Sequence, residues 1–474
     1  MVAKYSSKVF AMNQREHYKK LIMFLASAVL MTGLTLIFSY VWYRDYVFID
    51  MLLSPFHRGR NYTVIALYVV MLFTFFTVYG GFQAGSQRIF EAMTSQCLAV
   101  VCTNVVTYLQ LCILGNWLFL THFGPMVVVT VVDFVVLLIW SLGTRWAYTK
   151  LFPPRRLLVV YGKYSPEDLI MKIASREDKY AIQEAVHYEV GFEGIVEKID
   201  EYGNVILMDI PAIIRNKLLK YCFENNIRCY SVPKISDIMI KSASEIHLFD
   251  TSLLLSRNMG LTVDQRLLKR ALDIVLSLIL IVLTAPIMLI VALLVKLYDG
   301  GPVFFKQDRL TRNKKVFKVI KFRSMRVQNE NAEYVMTRKN DDRITPVGKI
   351  LRNIHFDELP QLFNILKGDM SFVGPRPECP HLAEEYRQIV PEFDYRLKVK
   401  AGLTGFAQVY GKYNTAPYDK LKLDLTYIHN YSFWLDLKLI LLTVKVLFHK
   451  ENTEGIEAWQ KTAATKENLE KIGK

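Results

Sequence analysis

Adjacent carboxylates at Asp357 and Glu358 stand immediately before Leu359 and Pro360, in the segment LRNIHFDELPQLFNILKGDMSFVGPRPE at 351–378. Proline is favoured at the first position of a helix, so both acids lie at a helix start, near unpaired N–H groups and the positive end of the dipole. A capping pair and a catalytic pair are both open readings of that pattern. As chemistry, Asp357 can act as nucleophile on phosphorus or as ligand to a hard cation, while Glu358, on another face, orients or deprotonates. Oxygen-only ligation without a Cys or His cluster fits magnesium. Arg352, five residues upstream, and Arg376, held between Pro375 and Pro377, can offer planar forks to phosphate oxygens; the plain alternative for each is an ion pair with an acid.

What must position these groups begins at ALDIVLSLILIVLTAPIMLIVALLVKL, 271–297, an apolar run long enough to span a bilayer with Pro286 at its centre. A proline there removes an internal hydrogen bond and clashes with the preceding turn, predicting a bent or broken helix. The chain that follows, 301–326, carries nine Lys or Arg and one acid. A broken apolar helix leading into basic chain predicts a membrane-surface site for a phosphorylated lipid. The net charge of +15 calls for such a counter-charge, although cytoplasmic loops gather Lys and Arg anyway. Nucleic acid is excluded as partner by the lack of any helix-turn-helix or aromatic-basic repeat.

Apolar runs at 20–42, 62–82, 97–120 and 124–142 read as transmembrane helices. Ten basic residues flank them on one side (Lys4, Lys8, Arg15, Lys19, Lys20, Arg88, Arg145, Lys150, Arg155 and Arg156) against Arg44, Arg58 and Arg60 on the other, which places both ends of the bundle in the cytoplasm. A fifth full crossing at Pro286 would strand the basic C-terminal half outside. The expected alternative is therefore a re-entrant helix at 267–298 that enters and leaves on the cytoplasmic leaflet. Asp133, inside the fourth run, is costly in hydrocarbon and is read as a bundle contact. Between the two membrane parts, LLVVYG, NVILMDI and IRCYSV read as strands of a small parallel α/β domain. Its first turn, YGKYSP, has one glycine where a dinucleotide fingerprint wants three. Six cysteines without CxxC spacing exclude a zinc site or disulfide framework. The expected domains are 1–150, 151–258, 262–450 and a polar tail at 451–474. His355 and Lys400, beside the motifs, are left to packing or solubility.

Residues 266–447 resemble the bacterial sugar transferase family, the monotopic polyprenyl-phosphate hexose-1-phosphate transferases. The stretches that carry the resemblance are KRALDIVLSLILIVLTAPIMLI, GPVFFKQDR, FKVIKFRSM, LRNIHFDELPQLFNILKGDMSFVGPRPE, AGLTGFAQV and DLTYIHNYSFWLDLKLI. The whole chain resembles the long form of that family, which implies an α-rich membrane protein: a four-helix transmembrane bundle, a Rossmann-like middle domain and a monotopic catalytic domain with a re-entrant helix broken at Pro286. The resemblance implies that Asp357 attacks the sugar-bearing phosphate of a UDP-sugar to form a covalent phosphosugar, with Glu358 as its partner acid. Undecaprenyl phosphate then accepts the hexose 1-phosphate, as a first membrane step of capsule, exopolysaccharide or O-antigen synthesis. Mg2+ is implied at Asp357, phosphate contacts at Arg352 and Arg376, a substrate-binding place for Asp424, and a headgroup anchor among Lys269, Arg270 and Asp273. Localisation in the bacterial inner membrane with the catalytic domain in the cytoplasm follows, with oligomeric state left open. Ala401, Phe406, Phe356 and Thr311 depart from the family's usual Pro, Trp, Leu and Gly, which bears on sugar preference, glucose or galactose being expected. The rival reading is a non-catalytic membrane scaffold whose basic surface docks partners.

Overall fold

The computed structural model describes residues 2–47, 58–83, 87–114, 117–256, 260–326, 341–411 and 415–447; the polar tail at 451–474 lies outside them. The chain divides into two compact units, one of Met1–Gly162 with Pro166–Ser231, the other of Lys163–Ser165 with Val232–Lys474.

In the first unit, four helices follow one another: α1 (Val2–Val41), α2 (Arg58–Tyr79), α3 (Ile89–Leu114) and α4 (Gly124–Leu151). Leu30, Leu34, Phe38 and Trp42 recur every fourth residue along α1 and its π-turn extension, and Val64, Tyr68, Leu72 and Phe76 do the same on α2. These two stripes meet where Phe38 stacks on Tyr68, centroids 4.0 Å apart. The opposite faces expose Phe24, Leu36, Val70 and Phe73, a surface suited to hydrocarbon. Helix α3 begins at Ile89, ahead of the expected 97, because its polar start faces inward. Gln96 donates to Gly81 O and accepts from Ser141. Asp133 is fully buried and accepts from Asn104, which also donates to Thr130. With the long helix described below, five helices among the described residues are long and apolar enough to cross a membrane.

The bundle leads directly into a four-stranded parallel sheet of order β2-β1-β3-β4, formed by β1 (Arg155–Tyr161), β2 (Tyr180–His187), β3 (Asn204–Met208) and β4 (Arg228–Ser231). Helices α5 (Glu167–Ala174), α6 (Phe192–Tyr202) and α7 (Ala212–Glu224) make the crossovers. Sequence reading finds β1, β3 and β4 but not β2, whose YAIQEAVH carries Gln183 and Glu184 at mid-strand. It is an edge strand, where Glu184 reaches solvent and pairs with Lys198. The single glycine of the first turn has a packing reason: a Cβ on Gly162 would fall 2.1 Å from Asp209 O.

The second unit starts with α8 (Ile235–Lys241) and a hairpin of β5 (Ser244–Leu248) with β6 (Thr251–Leu255). This unit begins at Val232, ahead of the expected catalytic domain at 262, and Ile238 of α8 packs into its core. Helix α9 (Val263–Asp299) follows, then the antiparallel hairpin β7 (Phe304–Leu310) and β8 (Val316–Phe322). The rest is α10 (Pro346–Asn353), α11 (Gln361–Lys367), β9 (Ser371–Val373), α12 (Pro380–Ile389), β10 (Gly402–Thr404), α13 (Phe406–Tyr410), α14 (Pro417–His429) and α15 (Phe433–Leu447). Strand β10 pairs with β9 in parallel.

The break expected at Pro286 is not a loss of helix: α9 is helical from Val263 to Asp299 with Pro286 inside it. Proline withholds one N–H, and its fixed φ is itself helical, so the lattice of bonds resumes after it. Thr284 adds to this weak point by donating back to Leu280 O at 2.7 Å. The two halves of α9 pack on different cores. Leu276, Leu280 and Ile281 lie against the main core of α11, β9, α14 and α15. Met288, Val291 and Val295 lie with Phe322 of β8 and Leu351 of α10. Nor do the basic and acidic residues near its start reach outward as headgroup anchors. Lys269 is buried and donates to Asp436 at 2.6 Å and Tyr427 at 3.1 Å; Asp273 accepts from Ser371 Oγ and Phe372 N; Arg270 donates to Ile365 O and Leu366 O, both at 2.6 Å. They fasten the helix to its own domain, since a buried charge needs a paired partner.

Candidate active site

Three short elements bring the acids into place. Pro346 starts α10 and Thr345 caps it, its Oγ1 accepting from Gly348 N at 2.9 Å. After Asn353 the chain turns through His355, whose φ of +58° is left-handed. That conformation lets Glu358 N reach His355 O at 3.2 Å and closes a 3-10 turn, Phe356–Glu358. Phe356 and Leu359, on either side of the acids, pack into the small core under α9. Helix α11 starts just beyond, and neither acid caps it, so the capping reading falls away.

The two carboxylates have opposite surroundings. Glu358 Oε1 accepts from Lys321 Nζ at 2.5 Å and from an Arg376 terminal nitrogen at 3.2 Å. Burial alone would raise its pKa, but the charges of Lys321 and Arg376 outweigh that and hold it well below the usual carboxylate range. Asp357 is 8% exposed and accepts no hydrogen bond among the described residues. Burial pushes its carboxyl up to about 6, helped by the neighbouring Glu358 charge and opposed by Lys321, Arg352 and Arg376. One acid is therefore a fixed anion between two cations, and the other keeps its lone pairs unspent. Titratable neighbours pushed apart in this way mark divided chemical roles.

Lys321 is the site residue that sequence reasoning missed. Nine cations between 301 and 326 all look alike, yet Lys321 shares the inward face of β8 with buried Phe317 and Val319. A cation at an inward strand position is the signal that distinguishes it. Asn364 of α11 sets its height by clamping the strand, accepting from Ile320 N and donating to Lys318 O, both at 2.9 Å.

Arg352 lies in the last turn of α10, its guanidinium without a hydrogen bond or ion pair among the described residues, near enough for its charge to pull on Asp357. Arg376 rides a turn that is held rigidly. Arg396 donates to Arg376 O at 3.0 Å, Arg309 donates to Pro377 O at 3.0 Å, and Leu310 N donates to Glu378 O at 2.9 Å. A Cβ on Gly374 would meet Lys400 O at 2.3 Å, so the GPRP and AGLTG segments approach as closely as two backbones can. Asp424 is 1% exposed and pairs with Arg396 Nε at 2.8 Å. Arg396 also faces Glu378, which Lys420 contacts too. The structure thus groups Asp424 with a buried ion cluster beneath Arg376 rather than with Asp357 and Arg352. Burial would raise Glu378, but Lys420 and Arg396 bring it down to about 2.

No group of three or more His, Cys, Asp or Glu capable of holding a metal occurs among the described residues. One unclaimed carboxylate does suit magnesium, which commonly takes one or two protein carboxylates and completes its shell from phosphates and water. Asp357 is the residue that fits.

Residues 264–450 match the bacterial sugar transferase family, a span containing α9 from its second residue and every residue of the site. The chain is 45% identical over 184 residues to UDP-glucose:undecaprenyl-phosphate glucose-1-phosphate transferase of Escherichia coli (strain K12), covering 38% of this chain and 40% of that protein. It is 36% identical over 234 residues to UDP-N-acetylgalactosamine-undecaprenyl-phosphate N-acetylgalactosaminephosphotransferase of Aeromonas hydrophila, 49% of this chain and 55% of that one. The matched part thus spans about half or less of these two relatives. A shorter relative, UDP-glucose:undecaprenyl-phosphate glucose-1-phosphate transferase of Caulobacter vibrioides, is 40% identical over 189 residues, 39% of this chain and 71% of its own length. With the acid pair, its cations and the apolar helix all inside the shared span, this chain belongs to the bacterial sugar transferase family.

Proposed function

We propose that this protein transfers a hexose 1-phosphate from a UDP-sugar to undecaprenyl phosphate, through a covalent intermediate on Asp357. The observation that carries the reading is the contrast between neighbouring acids: Glu358 clamped as an anion by Lys321 and Arg376, Asp357 buried without a hydrogen-bond partner among the described residues. In the first half-reaction an Asp357 carboxylate oxygen attacks the phosphorus that bears the sugar. The bond from that phosphorus to the UMP oxygen breaks, and UMP leaves with the electron pair. In the second, a phosphate oxygen of undecaprenyl phosphate attacks the same phosphorus and the bond to Asp357 breaks, which returns the carboxylate. Arg352, Arg376 and Lys321 supply positive charge to the phosphate oxygens throughout. When bound at the Asp357 carboxylate, magnesium offsets diphosphate charge.

Positioning at the membrane rests on α9. At about 1.5 Å per residue its 37 residues would measure roughly 55 Å, far beyond a hydrocarbon core of about 30 Å. Its first half packs on α11, β9 and α15, its second on β8 and α10, and these elements touch one another. A spanning α9 would have to carry part of this domain through the bilayer. Re-entry on one leaflet keeps the domain whole, and the charge flanking the bundle favours the cytoplasmic side of the inner membrane.

The test is peptide mass spectrometry of the purified protein given a UDP-sugar without acceptor. The Asp357 peptide should gain a hexose phosphate, lose it on addition of undecaprenyl phosphate, and never carry it in Asp357→Asn. A phosphosugar on another side chain rejects the mechanism; no adduct and no UMP release with any donor points to a scaffold. Glucose is the expected sugar, as in the names of the Escherichia and Caulobacter relatives, and a panel of UDP-sugars decides it.

A further inference from the structure

At the junction of bundle and sheet, within the first unit, Arg88 and Arg145 converge with Ser175, Glu177 and Asp178 on an open cavity of about 400 Å3. A water takes up about 30 Å3, so this space suits a larger guest. Arg88, just ahead of α3, spends a terminal nitrogen on Ser175 O at 2.8 Å. The guanidinium of Arg145, near the end of α4, makes no hydrogen bond or ion pair among the described residues. Asp178 feels its charge but is already paired with Arg176 at 2.9 Å. A partly buried guanidinium with five unspent donors, aimed at a cavity beside a second arginine, is the arrangement that a phosphate group fills. The surroundings fix the depth. One residue on, exposed Trp146 carries Lys150 over its ring at 4.0 Å, and Tyr148 accepts from Lys19 at 2.6 Å. Such an aromatic and basic belt belongs at the level of lipid headgroups.

We propose that this cavity binds a phosphate group, with Arg145 as its fork and Arg88 beside it, while Glu177 and Asp178 at the rim accept from hydroxyls next to that phosphate. Two sources share this chemistry: the phosphodiester headgroup of an anionic lipid, and a soluble phosphate. The site is built by residues of the first unit alone, and the inference does not depend on the transfer reaction.

The test uses the full chain in nanodiscs of phosphatidylcholine, with phosphatidylglycerol titrated in and bound lipid counted by native mass spectrometry. Inorganic phosphate is titrated in parallel and followed by thermal shift. Selective retention of phosphatidylglycerol, weakened about tenfold or more in Arg145→Gln, identifies a lipid site, the loss expected for a hydrogen bond to a charged group. A shift with inorganic phosphate that Arg145→Gln abolishes identifies a soluble ligand. Arg145→Lys keeps the charge without the fork and should fall between, which separates a lost contact from a lost fold. Lys150→Gln, in the same belt, should change retention much less. Equal retention of the two lipids with no phosphate shift, or an Arg145→Gln protein that binds like the wild type, overturns the proposal.

Discussion

An acid with an ordinary pKa of 3.8 that burial pushes up to about 6 costs its own fold something, and Asp357 is such an acid. Its folded state holds the proton more tightly than the unfolded chain does, so stability falls as pH rises from about 4 through 6. A rise of that size corresponds to about 3 kcal/mol. Asp357→Asn should therefore be inactive yet more stable by about 2–3 kcal/mol at pH 8, with little difference at pH 4, as denaturant unfolding in nanodiscs would measure. Equal stability at pH 8 would remove the argument that the carboxylate is strained by burial. The same titration predicts that formation of the proposed phosphosugar speeds up as pH rises through about 6, seen in rapid-quench kinetics. Glu358 has the opposite sign: its pKa is depressed, so its contribution is present above about 4.5 and lost as pH falls. Lys321→Met should leave that anion with Arg376 as its one remaining cation among the described residues, lower kcat by about a hundredfold or more, and destabilise most at high pH. A loss of stability that grows toward acid would contradict this. Of these groups, Asp357, Glu358, Arg352 and Arg376 were legible in the sequence because acids and arginines beside prolines stand out. Lys321 was not, since its difference from eight neighbouring cations lies in which way one strand faces.

Between residue and fold, helices α9 and α11 decide where these groups stand. Asn364 satisfies both an N–H and a C=O of β8, so Asn364→Ala leaves two backbone groups unpaired, at about 2–4 kcal/mol together. The strand should slip at Lys321, and kcat should fall at least about tenfold through the lost preorganisation, with KM less affected; a variant that loses stability but keeps kcat would show that the strand is held otherwise. Long apolar runs announced the four bundle helices because their composition leaves no other structure available in hydrocarbon. Their limits were less legible: α3 starts early because Gln96 finds Gly81 O and Ser141 inside the bundle, a tertiary bond that no local pattern announces. Strand β2 escaped notice for a similar reason, its mid-strand Glu184 being tolerated at a sheet edge. Pro286 announced a bend or a break, and it does not end the helix, as one missing N–H is a small defect in a helix packed on both sides of it.

For the molecule as a whole, the proposed placement makes a topological prediction. A cysteine introduced at exposed Lys315, with the six native cysteines replaced, should resist an impermeant maleimide in intact cells and react after permeabilisation. Labelling from outside would put the catalytic domain on the opposite face of the membrane. The ion pairs near the start of α9 were legible as charges but not as partners, because Lys269 and Asp436 are far apart in sequence and meet through the fold alone. Anchored along both halves, α9 turns a row of apolar side chains outward, among them Leu278, Val282, Leu289 and Leu293. In that placement the acyl chains form one wall of the catalytic domain. Lateral pressure in the leaflet would reach Phe322, Leu351 and Phe356, and through them the turn that carries Asp357, in two layers of side chains. In the proposed mechanism, the composition and tension of the bilayer then become inputs to the acidity of Asp357, and an enzyme of this design would read the state of the membrane in which it is anchored.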